Sequence, residues 1–226
     1  MTVAARAPLP PPALAAPAEA EWLKVPPSAP GMRIALYGGS FNPPHRAHRA
    51  VAHAALTRLG VDRVWWMVTP GNPLKPPGEL APLAQRVAAA RALADDPRIV
   101  VTAFEAADGL NFTADTIAFL VRRRPGVRFV FLMGADNLAS LHRWERWRDI
   151  ARLVPIAVVD RPGASYACLS ARAAVALARH RIDEAEARAL PDLRPPAWVF
   201  LHAPRDPISS TALRREQPVE RRAAAS

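Results

Sequence analysis

Two histidines, His45 and His48, end a segment that opens with adjacent glycines and reads Gly-Gly-Ser-Phe-Asn-Pro-Pro-His-Arg-Ala-His from Gly38 to His48. Adjacent glycines let a ligand approach the backbone closely because they carry no side chain. Histidines three residues apart at the start of a helix lie on one face of it. The segment therefore predicts a phosphate site with two imidazoles directed at it. A glycine turn without a ligand, and a histidine that only caps a helix, are the simpler alternatives.

The flanking residues predict the elements that would hold this segment. The apolar run 33–37 is typical of a buried strand, and residues 46–59 are typical of a helix that ends at Gly60. The prolines at 43 and 44 favour a rigid turn between them. A strand, a glycine turn and a helix in this order form a phosphate site, since the free N–H groups of the helix start attract negative charge.

Strands and helices alternate along the rest of the chain. Further strands are predicted at 64–69, 99–102, 127–133, 156–159 and 198–201, and further helices at 83–95, 113–124 and 144–151. The segment 164–195 is also expected to be helical. This alternation predicts an α/β protein with a Rossmann-like, doubly wound parallel sheet in a single domain. We expect that domain to span residues 31–217, between a disordered Ala/Pro-rich extension at 1–30 and a flexible tail at 218–226.

Composition restricts the class of protein further. The chain has 226 residues, half of them hydrophobic, a net charge of +10 and a single cysteine, Cys168. One cysteine excludes a disulfide framework, which favours a reducing, cytoplasmic location. No apolar run reaches the length of a membrane span, and no secretory signal is evident. A basic balance is typical of proteins that bind nucleic acid, an acidic membrane or small anionic substrates. Apart from residues 122–124 and 221–222 the arginines are dispersed, so we expect most of them to form a solvated surface and expect no nucleic acid as partner.

Other candidate residues fall after predicted strands, where the ligands of parallel sheets bind. Lys75 lies in a proline-rich loop after the second strand, and Asp136 follows the fourth. A helix start with hydroxyls and an arginine, residues 208–214, follows the last strand. Each has an ordinary alternative: a solvated lysine, a capping aspartate and a capped surface helix.

The segment Gly38–His48 resembles the signature of the nucleotidylyltransferase superfamily, and more narrowly that of the bacterial nicotinate-nucleotide adenylyltransferases. The family pattern ends in His-x-Gly-His and usually has Asp at the position of Asn42 and Gly at that of Ala47. Residues 208–214, Ile-Ser-Ser-Thr-Ala-Leu-Arg, are similar to the family's Ile-Ser-Ser-Thr-x-x-Arg motif. The two motifs occur in the family's order.

The resemblance implies roles for individual residues. The implied catalytic residues are His45, His48 and Arg214. The residues implied to bind ATP are Gly38, Gly39, Ser40, Phe41, His45, His48, Gly134, Asp136, Ser209, Ser210, Thr211 and Arg214. Those implied to bind the acceptor nucleotide, from similar loop, helix-start, tryptophan and Arg-Pro-Gly segments, are Lys75, Thr113, Trp144 and Arg161. No residue is assigned to a metal, because Mg²⁺ is expected to be held mainly through the ATP phosphates.

The implied reaction transfers the adenylyl group of ATP to nicotinate mononucleotide, giving deamido-NAD and pyrophosphate in NAD biosynthesis. Two alternatives stay open. One is an adenylyltransferase for another acceptor, nicotinamide mononucleotide or pantetheine phosphate. The other is a non-catalytic nucleotide- or nucleic-acid-binding protein of the same fold. Homo-oligomerisation is left open by the sequence.

Overall fold

A parallel sheet of six strands forms the centre of the protein in the computed structural model, which describes residues 19–71, 80–160 and 167–202. The strands run in the order β3-β2-β1-β4-β5-β6. Their bounds are β1 Arg33–Gly39, β2 Arg63–Val68, β3 Ile99–Thr102, β4 Arg128–Gly134, β5 Ile156–Val159 and β6 Trp198–Leu201. The chain winds outward from β1 in one direction and from β4 in the other, which confirms the doubly wound α/β fold.

The strands are apolar on both faces, as a sheet covered on two sides requires. In β1, Ala35 and Tyr37 enter one hydrophobic layer, whereas Ile34 and Leu36 enter the other. This alternation follows from the two-residue period of a strand. The consecutive apolar residues thus identify β1 as a central strand between two helical layers.

Helices cover both faces of the sheet. They are α1 Glu19–Trp22, α2 Arg46–Ala54, α3 Leu83–Leu93, α4 Phe104–Ala107, α5 Thr113–Arg123, α6 Ala135–Ser140, α7 Trp147–Leu153 and α8 Arg172–Ala176. Helices α2 and α3 pack against the Tyr37 face, while α5, α6, α7 and α8 pack against the Leu36 face. Every helix in the described ranges is too short or too polar to cross a membrane.

The first long helix changes its geometry before it ends. After α2 the chain continues as a π-helix over Ala55–Leu59, and Gly60 ends it with φ of 62°. The predicted C-cap at Gly60 is confirmed, because a left-handed φ is readily adopted by glycine. The shift to π geometry gave no signal in the sequence.

The predicted start of α7 was wrong. A helix was expected from Trp144, but Leu141–Arg143 form a 3-10 turn, Trp144 is extended, and α7 begins only at Trp147. Arg146 precedes α7 with φ of 52°, in the left-handed region that interrupts a right-handed helix. Trp144 and Trp147 therefore do not lie on one helix face, and Trp147 is buried.

At the start of α5, Phe112 occupies the N-cap position without a side-chain cap, and the Asn111 side chain donates to the Gly109 carbonyl. One further expectation on helices needs correction. The segment 164–195 is not one helical run. Where described, it consists of α8 and 3-10 segments at Ala167–Ser170, Ala178–His180 and Glu184–Asp192.

The folded part of the chain begins before the expected boundary near Gly31. Trp22 packs against the core, and its carbonyl accepts hydrogen bonds from the Ala103 N–H at 2.7 Å and the Thr102 hydroxyl at 3.1 Å. The Lys24 carbonyl is a second acceptor for that hydroxyl. Residues from Trp22 onward are thus bonded to the end of β3, and only the earlier part of the predicted extension lies outside the described residues.

Candidate active site

The point at which the sheet changes winding direction lies between β1 and β4. The two strands pair up to Tyr37 opposite Leu132. Two residues further along each strand stand Gly39 and Gly134, the last residues of β1 and β4. The crevice beyond this switch point is where doubly wound sheets bind ligands. The sequence-predicted glycine segments therefore meet at the expected edge.

The glycine turn is built around the ring of Phe41. This side chain is 1% exposed, stacks on Trp66 with 5.2 Å between ring centroids, and lies 4.7 Å from the His48 ring. A Cβ on Gly39 would come within 3.3 Å of the Phe41 ring, so only glycine fits there without a shift. The Phe41 backbone has φ of 46°, which costs a non-glycine residue about 1 kcal/mol or more. Core packing of the ring thus holds the turn in a conformation that its backbone disfavours.

The two histidines are brought together at the start of α2. Their ring centroids are 3.9 Å apart, and the residues are only 5% and 8% exposed. His45 is the extended N-cap residue and His48 the third residue of the helix, in agreement with the predicted helix start at residue 46. The expected proximity is present.

A hydrogen bond fixes the orientation of the His48 ring. The backbone N–H of His45 donates to Nδ1 of His48 over 3.1 Å. Since Nδ1 accepts this bond, the proton of the neutral imidazole resides on Nε2. His48 can therefore offer an Nε2–H donor to a bound anion.

Arg86, which the sequence interpretation did not single out, joins the glycine turn to the next loop. Its guanidinium donates to the carbonyls of Ser40, Thr69 and Ala81 at 2.8 Å each, and to that of Pro70 at 3.2 Å. Arg86 is 3% exposed, and burial lowers its pKa. A charged residue on the apolar stripe of a helix was the available signal, since Arg86 lies on the face of α3 that carries Val87 and Ala90.

Two more hydrogen bonds connect the same two segments. The Thr69 N–H donates to the Gly39 carbonyl at 3.0 Å, and the Ala81 N–H donates to Oδ1 of Asn42 at 3.2 Å. Asn42, where the family pattern has Asp, thus acts through its side-chain oxygen, which an aspartate also possesses. Ala47, at the position of the usual glycine, is buried in α2.

Two of the residues predicted to bind the acceptor nucleotide, Thr113 and Trp144, lie in the described part of the chain. Thr113 is the first residue of α5 and is partly buried, while Trp144 contacts Phe131 edge-on with ring centroids 6.3 Å apart. Arg146 connects the two elements by donating to Asp115 of α5 at 2.6 Å and to Asp149 of α7 at 3.0 Å. Asp136, predicted near ATP, is an exposed residue in the first turn of α6.

A buried carboxyl group, also missed in the sequence, supports the start of α5. Oε1 of Glu105 accepts a 2.7 Å hydrogen bond from the Thr116 hydroxyl, whereas Oε2 has no partner among the described residues. Burial raises the pKa of Glu105 to about 7, and the bond from Thr116 opposes that shift. Glu105 is therefore protonated over a wide range of pH in which an exposed glutamate is charged.

Several predicted site residues lie outside the described part of the chain. They are Lys75, Arg161, Ser209, Ser210, Thr211 and Arg214. Within the described ranges, no group of three or more His, Cys, Asp or Glu side chains is placed to hold a metal ion.

The fold and the turn define a class of protein: a doubly wound α/β protein with a glycine turn and two buried histidines at its switch point. The family model described as cytidylyltransferase-like matches residues 36–216. A protein of Methylorubrum extorquens named probable nicotinate-nucleotide adenylyltransferase is 60% identical over 183 residues, covering 81% of this chain and 99% of its own length. A protein of the same name from Agrobacterium fabrum is 56% identical over 183 residues, 81% of this chain and 98% of its own length.

The solved nicotinic acid mononucleotide adenylyltransferase of Plasmodium falciparum, complexed with NaAD, has the same fold. Its TM-score is 0.61 at 17% identity, over 84% of this chain and 87% of that one. The chain thus belongs to the cytidylyltransferase-like family and, within it, to the family of the nicotinate-nucleotide adenylyltransferases.

Proposed function

We propose that this protein transfers the adenylyl group of ATP to nicotinate mononucleotide, releasing pyrophosphate and forming deamido-NAD. The observation that carries the proposal is the buried pair His45 and His48, which follows the glycine turn in the chain. Their ring centroids are 3.9 Å apart. The names of the relatives at 60% and 56% identity support the same reaction and acceptor.

The reaction needs no nucleophile from the protein. The phosphate oxygen of nicotinate mononucleotide attacks the α-phosphorus of ATP, the new P–O bond forms, and the bond to the β-phosphate oxygen breaks with pyrophosphate as the leaving group. Catalysis then depends on alignment of the two nucleotides and on stabilisation of the charge that develops on the transferring phosphate.

The two histidines have the properties that this charge stabilisation requires. The bond from the His45 N–H leaves Nε2 of His48 as a donor, and the two residues are shielded from water. A hydrogen bond to a developing anion is stronger in such a low-dielectric site than in water. His45 and His48 would therefore contact the α-phosphate, with Gly38, Gly39 and the start of α2 providing backbone N–H groups.

The remaining assignments are part of the proposal. Ser209, Ser210, Thr211 and Arg214 would bind the β- and γ-phosphates, and Lys75 and Arg161 the acceptor. Thr113, at the start of α5, and Trp144, two residues before the Arg146 that bonds to Asp115 of α5, would bind the pyridine end of the acceptor. Gly134, the last residue of β4, and Asp136 of α6 would lie near the adenosine.

Mg²⁺ would be bound mainly through the ATP phosphates and water rather than by a cage of protein side chains. Such an ion would neutralise part of the phosphate charge. The side chains assigned above would still have to bind the nucleotides, orient them and exclude water.

Pyrophosphate release from ATP and Mg²⁺ tests the function with three acceptors in parallel: nicotinate mononucleotide, nicotinamide mononucleotide and pantetheine phosphate. We expect the highest kcat/KM with nicotinate mononucleotide, and deamido-NAD as the product by chromatography. A preference for either of the other acceptors would contradict the assigned substrate. Release with none of them would favour a binding protein of this fold.

A further inference from the structure

The buried side chain of Arg86 makes four hydrogen bonds, all of them to backbone carbonyls. Its guanidinium has five N–H donors in a fixed planar arrangement and uses them on four backbone carbonyls. Those carbonyls belong to three separate places: the glycine turn, the end of β2 and the segment that leads into α3. All four acceptors are uncharged backbone oxygens.

One nitrogen of Arg86 makes the contact that matters most for the turn. Nη1 lies 2.8 Å from the Ser40 carbonyl and 2.8 Å from the Thr69 carbonyl, so it holds the turn directly against the end of β2. Ser40 stands between Gly39 and the strained Phe41, five residues before His45. A shift of this carbonyl would move the chain that leads into both histidines.

From these contacts we infer that Arg86 is a positioning residue for adenylyl transfer: by fixing the Ser40 carbonyl against the end of β2, it holds the glycine turn and the two histidines where the α-phosphate must lie. The inference rests on the proposed function. Arg86 itself need not touch either nucleotide. Its effect is transmitted by the Ser40 contact, together with the neighbouring bond from the Thr69 N–H to the Gly39 carbonyl.

Replacement by lysine separates geometry from charge. Arg86→Lys keeps a positive charge, but a single ammonium nitrogen cannot reach four carbonyls in the arrangement of a guanidinium. Displacement of reacting groups by about 1 Å costs up to about 100-fold in rate. We therefore expect kcat per folded molecule to fall about 10- to 100-fold, whereas KM for nicotinate mononucleotide, whose pyridine end is assigned to Thr113 and Trp144, changes less than about threefold.

The matched control is Arg91→Lys, the same replacement at an exposed position of α3. We expect kcat and KM of this variant to remain at the wild-type values. A second variant, Asn42→Ala, removes the bond that the Asn42 side chain accepts from the Ala81 N–H and leaves the Arg86 side chain in place. It should show a smaller fall in kcat, and it serves if Arg86→Lys does not fold.

Two results would overturn the inference. One is a kcat per folded molecule within about twofold of wild type for both Arg86→Lys and Asn42→Ala, because Arg86 would then only stabilise the fold. The other is an unchanged hydrogen-exchange rate of the backbone amides of residues 39–48 in whichever of the two variants folds. Hydrogen exchange is measured without any nucleotide substrate, so its result does not depend on the proposed reaction. An inactive wild-type protein would contradict the proposed function, whereas unchanged exchange would contradict this inference.

Discussion

The backbone N–H of His45 donates a 3.1 Å hydrogen bond to Nδ1 of His48 and thereby leaves the proton of the neutral imidazole on Nε2. The helix start is thus capped and the imidazole tautomer selected by the same bond. A histidine at the third position of a helix takes the place that Glu or Gln holds in the usual capping box. The same hydrogen bond thus affects both the stability of the helix start and the nitrogen of His48 that carries the proton. Substitutions of His48 can separate these two effects.

Gly39 should tolerate a methyl group less well than its neighbour Gly38. A Cβ at Gly39 would lie 3.3 Å from the Phe41 ring, which is fixed by stacking on Trp66, whereas a Cβ at Gly38 would lie 3.7 Å from the end of the Met67 side chain. We expect Gly39→Ala to lower the free energy of unfolding by about 1–3 kcal/mol, as overpacking does. Urea denaturation of both variants checks this, and equal losses for the two would show that the Phe41 ring yields freely.

Glu105 should make the stability of the protein depend on pH. Its folded pKa of about 7 is above the ordinary value of 4.5, so between these values the folded state keeps a proton that the unfolded chain has lost. The stability from this group is therefore fully present below pH 4.5 and is lost as pH rises through 7. Glu105→Gln should gain about 1–3 kcal/mol relative to wild type between pH 5 and pH 8.

Urea denaturation at pH 5, 6, 7 and 8 measures that difference. Glu186→Gln, at an exposed position, is the control and should follow the wild-type curve at each pH. A Glu105→Gln variant whose stability stays parallel to that of wild type from pH 5 to pH 8 would mean that Glu105 titrates as an ordinary carboxyl group.

Arg146 combines an unfavourable backbone with favourable side-chain contacts. Its φ of 52° costs a non-glycine residue about 1 kcal/mol or more, while its solvent-exposed bonds to Asp115 and Asp149 are screened by water and contribute little to stability. Arg146→Ala keeps the cost and loses the bonds, whereas Arg146→Gly loses both. We expect the glycine variant to unfold at a melting temperature about 2–4 °C above that of the alanine variant. The opposite order would show that the backbone at this position is not strained.

The sheet was predictable from the sequence because its strands are continuous apolar runs bounded by turn residues. All six strands were placed within two residues of their bounds, and the alternation with helices indicated the parallel order. The ends of the helices were harder to predict from the sequence. The delayed start of α7 depends on the left-handed backbone of Arg146, a residue type that carries no such preference.

The site was predictable only where residue type and function coincide. Gly39, His45 and His48 were identified from their own sequence segment, and the structure brings them together. Arg86 and Glu105 were missed, since their importance comes from burial against other segments. Arg86 contacts Ser40 across 46 positions of the chain, a separation that local patterns do not report.

The most direct measurement of the central claim is the single-turnover rate of deamido-NAD formation by wild type, His48→Asn and His48→Gln. The amide oxygen of Asn can replace Nδ1 as acceptor for the His45 N–H but offers no donor at the position of Nε2, whereas the amide of Gln reaches that position. His53→Ala, on the same helix but partly exposed, is the control.

We predict rapid formation of deamido-NAD by wild type and by His53→Ala. For His48→Asn we predict a melting temperature near that of wild type with a rate lower by about 100- to 1,000-fold, the loss typical of removing a hydrogen-bond donor to a developing oxyanion. His48→Gln should retain more of the rate than His48→Asn and less of the stability. A folded His48→Asn protein that forms deamido-NAD at the wild-type rate would contradict the assignment of the glycine turn and its histidines as the site of adenylyl transfer.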